Sequence, residues 1–235
     1  MTQSGSIVFL LKRKGNNVVI CTMFYLVKTP WLLKKIYPEC IWNIKTAEKV
    51  IYLTFDDGPH PVATPFVLEE LKRYNAKATF FCIGKNVEEN FELYKKIIDE
   101  GHAAGNHTYN HLNGWKVKDE VYLDNIFKAK KIIDSNLFRP PYGRITKFQL
   151  KQLPAEKYKL KTVMWSVLSG DFDKEVTGEE CYLTVVKNAK EGSVVVFHDS
   201  EKAMKRLQYA LPLVLKYFAE KGFEFRSISD KETGS

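Results

Sequence analysis

The sequence predicts an α/β domain built on a parallel sheet with crossover helices, and three observations carry that expectation. From Lys49 onward, short β-branched and aromatic runs alternate with helical stretches. The residues able to do chemistry stand at or just after the ends of the apolar runs, where parallel barrels place their active sites. The 235 residues, 45% of them hydrophobic, suffice for one sizeable core, and no repeat or low-complexity linker divides them.

Residues 50–55 read as a first buried strand. Thr64 and Pro65 then open a helix through Tyr74, with Thr as the cap and Pro at the first helical position. Residues 78–83 form a second strand, residues 89–100 a helix stopped by Gly101, and residues 102–107 a third strand or its exit. A long amphipathic helix covers 119–134. Strands follow near Phe138 and at 161–166, 193–197 and 224–228, separated by helices near 146–153, 177–190 and 213–221. Residues 31–37 have helical spacing and are expected to pack against the sheet as a lid or plug.

The charge is unevenly placed. Residues 1–49 hold eight Lys or Arg against two Glu, so +6 of the net +8 lies there and the remainder is nearly balanced. No basic stripe with interleaved aromatics runs through the chain, which excludes nucleic acid as an expected partner. Cys21, Cys40, Cys82 and Cys181 stand far apart without a CxxC pair, and Cys82 lies inside an apolar run, so free thiols are expected. Residues 18–27 follow Lys12, Arg13 and Lys14 and imitate the start of a signal peptide. No small-x-small cleavage site follows, and the stretch falls short of the roughly 20 residues that span a bilayer, so no spanning segment is expected. Met23 offers a second start, with residues 1–22 as an upstream extension. Cell-envelope and cytoplasmic locations both stay open.

Two strings point to function. Thr54-Phe55-Asp56-Asp57-Gly58-Pro59 supplies a doubled carboxylate at a strand end, and His107-Thr108-Tyr109-Asn110-His111 supplies two imidazoles four residues apart. On a helical turn both rings would share one face and reach one cation, and a carboxylate from a distant strand would complete the set with positions left for water. The duller reading makes the histidines cap and pack a helix while the aspartates begin a turn.

With Arg139-Pro140-Pro141-Tyr142-Gly143, Trp165 to Phe172, and Val196-Phe197-His198, these strings form five motifs in order over roughly residues 49–229. In this the chain resembles the catalytic domain of the polysaccharide deacetylases, carbohydrate esterase family 4. The resemblance implies a distorted (β/α) barrel of about seven parallel strands, a count the seven strand candidates permit. It divides the chain into a basic extension and packing segment, 1–48, and a catalytic domain, 49–235. It implies a metal site of Asp57, His107 and His111, for which Zn²⁺ is expected and Co²⁺ is the alternative. Asp56 is the implied general base with Arg139 as its partner, and His198 the implied general acid, oriented by Asp171. The Tyr142 amide is placed as an oxyanion donor, and the Tyr142 and Trp165 rings as a pocket for sugar and acetyl methyl, although core packing explains Trp165 equally. The chain departs from the pattern at Leu168, where an Asp is common, at Phe172, where Trp is usual, and at Val196, where Leu is usual. His60 and His102 are read as ordinary.

The expected function is removal of N-acetyl groups from an amino-sugar polymer, peptidoglycan or chitin-like, by a monomer whose partner is carbohydrate. The near-neutral catalytic region and the aromatic lining suggested by Tyr142, Trp165 and Phe172 favour an uncharged N-acetylglucosamine unit over a strongly anionic sugar. The rivals are an O-acetyl esterase with the same residues and a carbohydrate-binding domain without turnover.

Overall fold

The computed structural model describes residues 12–14, 17–19 and 27–229. Short strands β1 (Lys12–Lys14) and β2 (Asn17–Val19) pair antiparallel. The remaining strands form one parallel sheet: β3 (Val50–Asp56), β4 (Thr79–Cys82), β5 (Ala103–Asn106), β6 (Leu137–Phe138), β7 (Lys161–Thr162), β8 (Val167–Leu168), β9 (Val194–His198) and β10 (Glu224–Phe225). Seven run in the order β7-β6-β5-β4-β3-β9-β8 and curl into a half-barrel, while β10 pairs with the start of β3. The alternation of apolar runs predicted this architecture, though not β8, whose two residues are too short for a strand pattern.

Crossover helices cover the outer face: α2 (Ala63–Arg73), α3 (Gly84–Glu89), α4 (Phe91–Asp99), α5 (Asp119–Lys130), α6 (Lys147–Gln152), α7 (Gly178–Asn188) and α8 (Met204–Glu220), with α1 (Trp31–Ile36) before the sheet. Period-two alternation divides the central strand: Ile51, Leu53 and Phe55 pack against α2, α7 and α8, while Val50 and Tyr52 belong to the inner cluster with Phe81, Val163 and Val194. Both faces are buried, as a parallel sheet requires.

Three element expectations are corrected, and a fourth is sharpened. Helix α2 starts at Ala63, not with Thr64 as cap, because the His60 ring accepts the Val62 and Ala63 N–H groups at 3.2 Å and Thr64 is turned to another partner. The helix expected over 89–100 is two, broken at Asn90. The last helix begins at Met204 and carries Pro212 inside it, a residue that hid its first half. Helix α1 packs as expected but only through the partly buried Leu33 and Tyr37, no side chain of the helix being fully buried; Cys40, Trp42 and Ile44 behind it are the buried residues.

Those residues occupy the open side of the half-barrel. Ile41 bridges Val163, Asn43 bridges Ser193, and the Met164 N–H donates to the Ile41 carbonyl at 2.8 Å. The expected leader-like stretch at 18–27 and the alternative start at Met23 lie largely outside the described residues. Among the described residues no helix is long and apolar enough to cross a membrane. Cys40, Cys82 and Cys181 are free and buried.

Candidate active site

Parallel pairing places β3 and β9 in register so that Asp56 lies beside His198. The alternation that sends Phe55 and Phe197 to the helices turns both of these side chains inward at the carboxyl rim. Asp57, the next residue, leaves the strand with φ 84°, a left-handed conformation that aims its carboxylate away from that of its neighbour. Asn86 Nδ2 donates to the Asp57 carbonyl at 2.7 Å and holds the turn.

Asp57, His107 and His111 converge, with one donor atom from each lying within 4.8 Å of the others. Asp57 Oδ1 is 3.8 Å from His107 Nε2 and 3.2 Å from His111 Nε2. The two histidines do not share a helical turn. They stand on a loop with φ 62° at Thr108 and 55° at His111, so the chain doubles back between them. Asn125 Oδ1 accepts the Tyr109 and Asn110 N–H groups at 2.9 Å, and the Leu112 N–H donates to Thr108 Oγ1 at 3.2 Å.

This trio fits a metal ion. Asp57 Oδ1 is buried without a hydrogen bond of acceptable geometry, an orphaned acceptor facing two imidazole nitrogens. His107 Nδ1 is 2.8 Å from the Arg139 carbonyl, which fixes the proton there and leaves the Nε2 lone pair for a cation. Burial, above the opposing field of Asp56, pushes the His107 ring down to about 4, so it is neutral at pH 7. Burial works against charge on Asp57, but the His111, His198 and His107 rings outweigh it and hold that carboxyl below the usual range.

Arg139 is fully buried and its donors are used: Nη1 to Asp56 Oδ1 and to Thr54 Oγ1, both 2.7 Å, Nε to the Val163 carbonyl and Nη2 to the Met164 carbonyl, both 3.0 Å. Its guanidinium also lies 4.0 Å over the Phe81 ring. Burial lowers its pKa from the ordinary arginine value, and the Asp56 carboxylate opposes that only in part.

Asp171 holds His198 twice, accepting the backbone N–H on Oδ2 and facing Nδ1 with Oδ1, each at 2.8 Å. Ser169 Oγ donates to the same Oδ1 at 3.0 Å. Burial disfavours a charged His198 ring, but Asp171 outweighs it, with help from Asp57 and Asp56, and the pKa rises to about 9. Phe172 stands edge-on to that ring at 5.1 Å.

Asp56, Asp57, His107, His111 and His198 line one cavity of about 580 Å³, with Tyr142, Trp165, Leu168, Phe172 and Val196. The exposed Tyr142 ring lies 4.6 Å from His111, and Trp165 packs beneath Gly143, where a Cβ would meet its Cη2 at 2.7 Å. Leu33 and Tyr37, from the segment expected as a lid, are part of this wall; the sequence reading missed Thr29 and Trp42, from before the first motif, and Trp115 and Arg144, from loops after the second and third. Cys40 is there too, but burial, and then Glu39, push its thiol up to about 12 and leave it unreactive.

Asp199 was also missed. It is buried beneath the Asp57 turn, accepting the Gly58 N–H at 3.1 Å and the Thr64 hydroxyl, while its own N–H donates to the Asp56 carbonyl at 3.1 Å. Burial first, and then the Asp57 charge, push its pKa up to about 8. Its signal was an acidic residue placed directly after a strand-end histidine.

Residues 43–160 match the family model of polysaccharide deacetylases. A peptidoglycan-N-acetylglucosamine deacetylase of Bacillus cereus is 38% identical over 195 residues, 80% of this chain and 91% of that protein. A chitooligosaccharide deacetylase of Azorhizobium caulinodans is 36% identical over 67% of this chain and 77% of its own length. The crystal structure of a peptidoglycan N-acetylglucosamine deacetylase in complex with 4-naphthalen-1-yl-N-oxidanyl-benzamide superposes with a TM-score of 0.78 at 32% identity, covering 87% of this chain and 96% of that one. With half its length matched by the family model and a relative this similar across four-fifths of it, the chain belongs to the polysaccharide deacetylase family.

Proposed function

We propose that this chain is a metal-dependent hydrolase that removes acetyl groups from N-acetylated amino-sugar units of a glycan, peptidoglycan or chitin-like. The observation that carries the reading is the meeting, at one cavity, of an Asp-His-His trio with two separately held acid–base pairs, Asp56–Arg139 and His198–Asp171. A binding domain has no use for that combination, and the relatives with these substrates in their names support the choice of glycan.

Asp57, His107 and His111 would hold the ion, and two imidazoles with one carboxylate suit Zn²⁺, Co²⁺ being the substitute. A divalent ion there supplies Lewis acidity to the acetamide carbonyl and to an attacking water. Asp56, aimed by the Arg139 hydrogen bond, takes the proton of that water. His198, charged at neutral pH through Asp171, gives its proton to the departing amine nitrogen. The Tyr142 amide stabilises the oxyanion, and the Tyr142 and Trp165 rings with Leu168 and Val196 receive the sugar face and acetyl methyl. Residues 49–235 form the catalytic domain, residues 1–48 the basic extension and packing segment, and one chain suffices as a monomer, since every group used belongs to it.

Acetate release from N-acetylglucosamine oligomers and from acetylated xylan, at equal acetyl concentration, tests this. The amide substrate is expected to react faster, chelation to abolish activity and Zn²⁺ or Co²⁺ to restore it. A faster rate on xylan makes the protein an esterase with the same residues; full activity after thorough demetallation overturns the metal assignment.

A further inference from the structure

Two cationic side chains line the cavity without an anionic partner among the described residues: Arg144 and Lys202. Lys202 lies 5.8 Å over Phe172, on the His198 side. Arg144 follows Tyr142 by two residues and so stands on the His111 side. Its guanidinium lies 4.2 Å over the ring of Trp115, which is 56% exposed although indole is the side chain with most to gain from burial.

That exposed ring is pinned. Its indole N–H donates to the Ile145 carbonyl at 2.9 Å, and its backbone N–H to Asn113 Oδ1 at 3.0 Å. The two loops are tied to each other, the Gly114 N–H donating to the Arg144 carbonyl at 3.2 Å, while the Arg144 N–H donates to the Pro141 carbonyl at 3.0 Å. Stacking removes one face of the guanidinium from water and holds its planar fork in place, so less freedom is lost when a carboxylate pairs with it.

We propose that Trp115 and Arg144 form a second subsite of this cavity, taking a carboxylate carried by the sugar unit next to the one that loses its acetyl group; the proposal rests on the function given above. The indole is a flat apolar floor for a pyranose ring, and the guanidinium a fork for the acid. The preferred substrate is a strand in which the reacting N-acetylated sugar adjoins a unit whose ether substituent ends in a free carboxylate, as in peptidoglycan strands freed of their stem peptides, and not an uncharged chitin-type chain. The near-neutral count over the catalytic region conceals this, because Asp56 is paired with Arg139 and Asp57 belongs to the metal trio, while Arg144 and Lys202 are left to the substrate.

The experiment compares metal-loaded full-length wild type, Arg144→Gln and Arg144→Lys on chito-oligosaccharides and on peptide-stripped peptidoglycan strands of equal length. Wild type is expected to show a KM about tenfold lower on the acidic strands, an advantage that shrinks when salt is raised from about 50 to about 500 mM. Arg144→Gln should raise KM about tenfold on the acidic strands and at most about twofold on chito-oligosaccharides, with kcat nearly preserved. Arg144→Lys should recover only part, lacking the fork. Equal KM values in wild type, or equal effects of Arg144→Gln on both substrates, overturn the subsite. Absence of acetate from both substrates overturns the deacetylase reading instead, and quenching of tryptophan fluorescence by each glycan, in wild type and Arg144→Gln, then decides the subsite by itself.

Discussion

One backbone angle separates two adjacent carboxylates: Asp56 ends the strand in extended form and Asp57 turns left-handed, so they face Arg139 and the two imidazoles respectively. In the proposed reaction their losses should differ. Asp56→Asn should retain metal and lose about 10²–10⁴ in kcat, whereas Asp57→Asn should bind metal markedly less, by calorimetric titration. If both variants keep metal and turnover, the base lies elsewhere. His198 gives a pH test with a definite sign. A ring raised to about 9 keeps its proton through neutral pH and loses it above that value, so kcat falls on the alkaline side near pH 9. Asp171→Asn removes the main cause that outweighs burial, and the alkaline limb should move down toward the ordinary histidine value of about 6.5. A limb that stays in place would remove His198 from the role of acid.

At the scale of elements, the site is a set of strand ends locked to one another by short loops. Asp199 couples two of them: its backbone reaches Asp56 at the end of β3, and its carboxylate holds Gly58 and Thr64 at the entry to α2. Gly58 is glycine because of that contact, since a Cβ there would lie 2.0 Å from Asp199 Oδ2. Gly58→Ala is therefore expected to cost about 2–3 kcal/mol in denaturant unfolding, the range for overpacking a buried site, and to weaken metal binding through the displaced Asp57 turn. Unchanged stability and unchanged affinity together would show that the turn is free to relax. The histidine pair teaches the same lesson, because its convergence depends on Asn125 of α5 holding the loop and not on helical spacing.

Across the whole molecule, the half-barrel is completed by chain from its own N-terminal side. Cys40, Trp42 and Ile44 are buried on the open side, and Thr29, Leu33, Tyr37 and Trp42 line the cavity. A protein starting at Met23 is expected to fold and hydrolyse as the full chain does. One starting at Lys45 should lose on the order of 5 kcal/mol or fail to fold, given that a buried Trp alone is worth about 3–5 kcal/mol against Ala. Thermal unfolding of both truncations decides: a large loss in the Met23 protein would show residues 1–22 to be part of the packed structure, and a stable Lys45 protein would make the segment dispensable.

The sequence by itself determined the strand–helix alternation, the placing of five motifs at strand ends, and the residue types that could share a metal or a proton. These are legible because strand patterning is local and a resemblance carries over motif by motif, as with Asp57, His107 and His111. Only the tertiary structure decided that the two histidines meet on a loop, since positive φ at Thr108 and His111 is enforced by hydrogen bonds from α5 and from within the turn. Only it placed Asp199 under Gly58, a contact between residues 141 positions apart that leaves no periodic trace in the chain. The wall residues Thr29 and Trp42 and the exposed Trp115 were hidden for the same reason: residues outside a repeating pattern look alike in sequence, and whether they line a core or a cavity depends on what packs across from them.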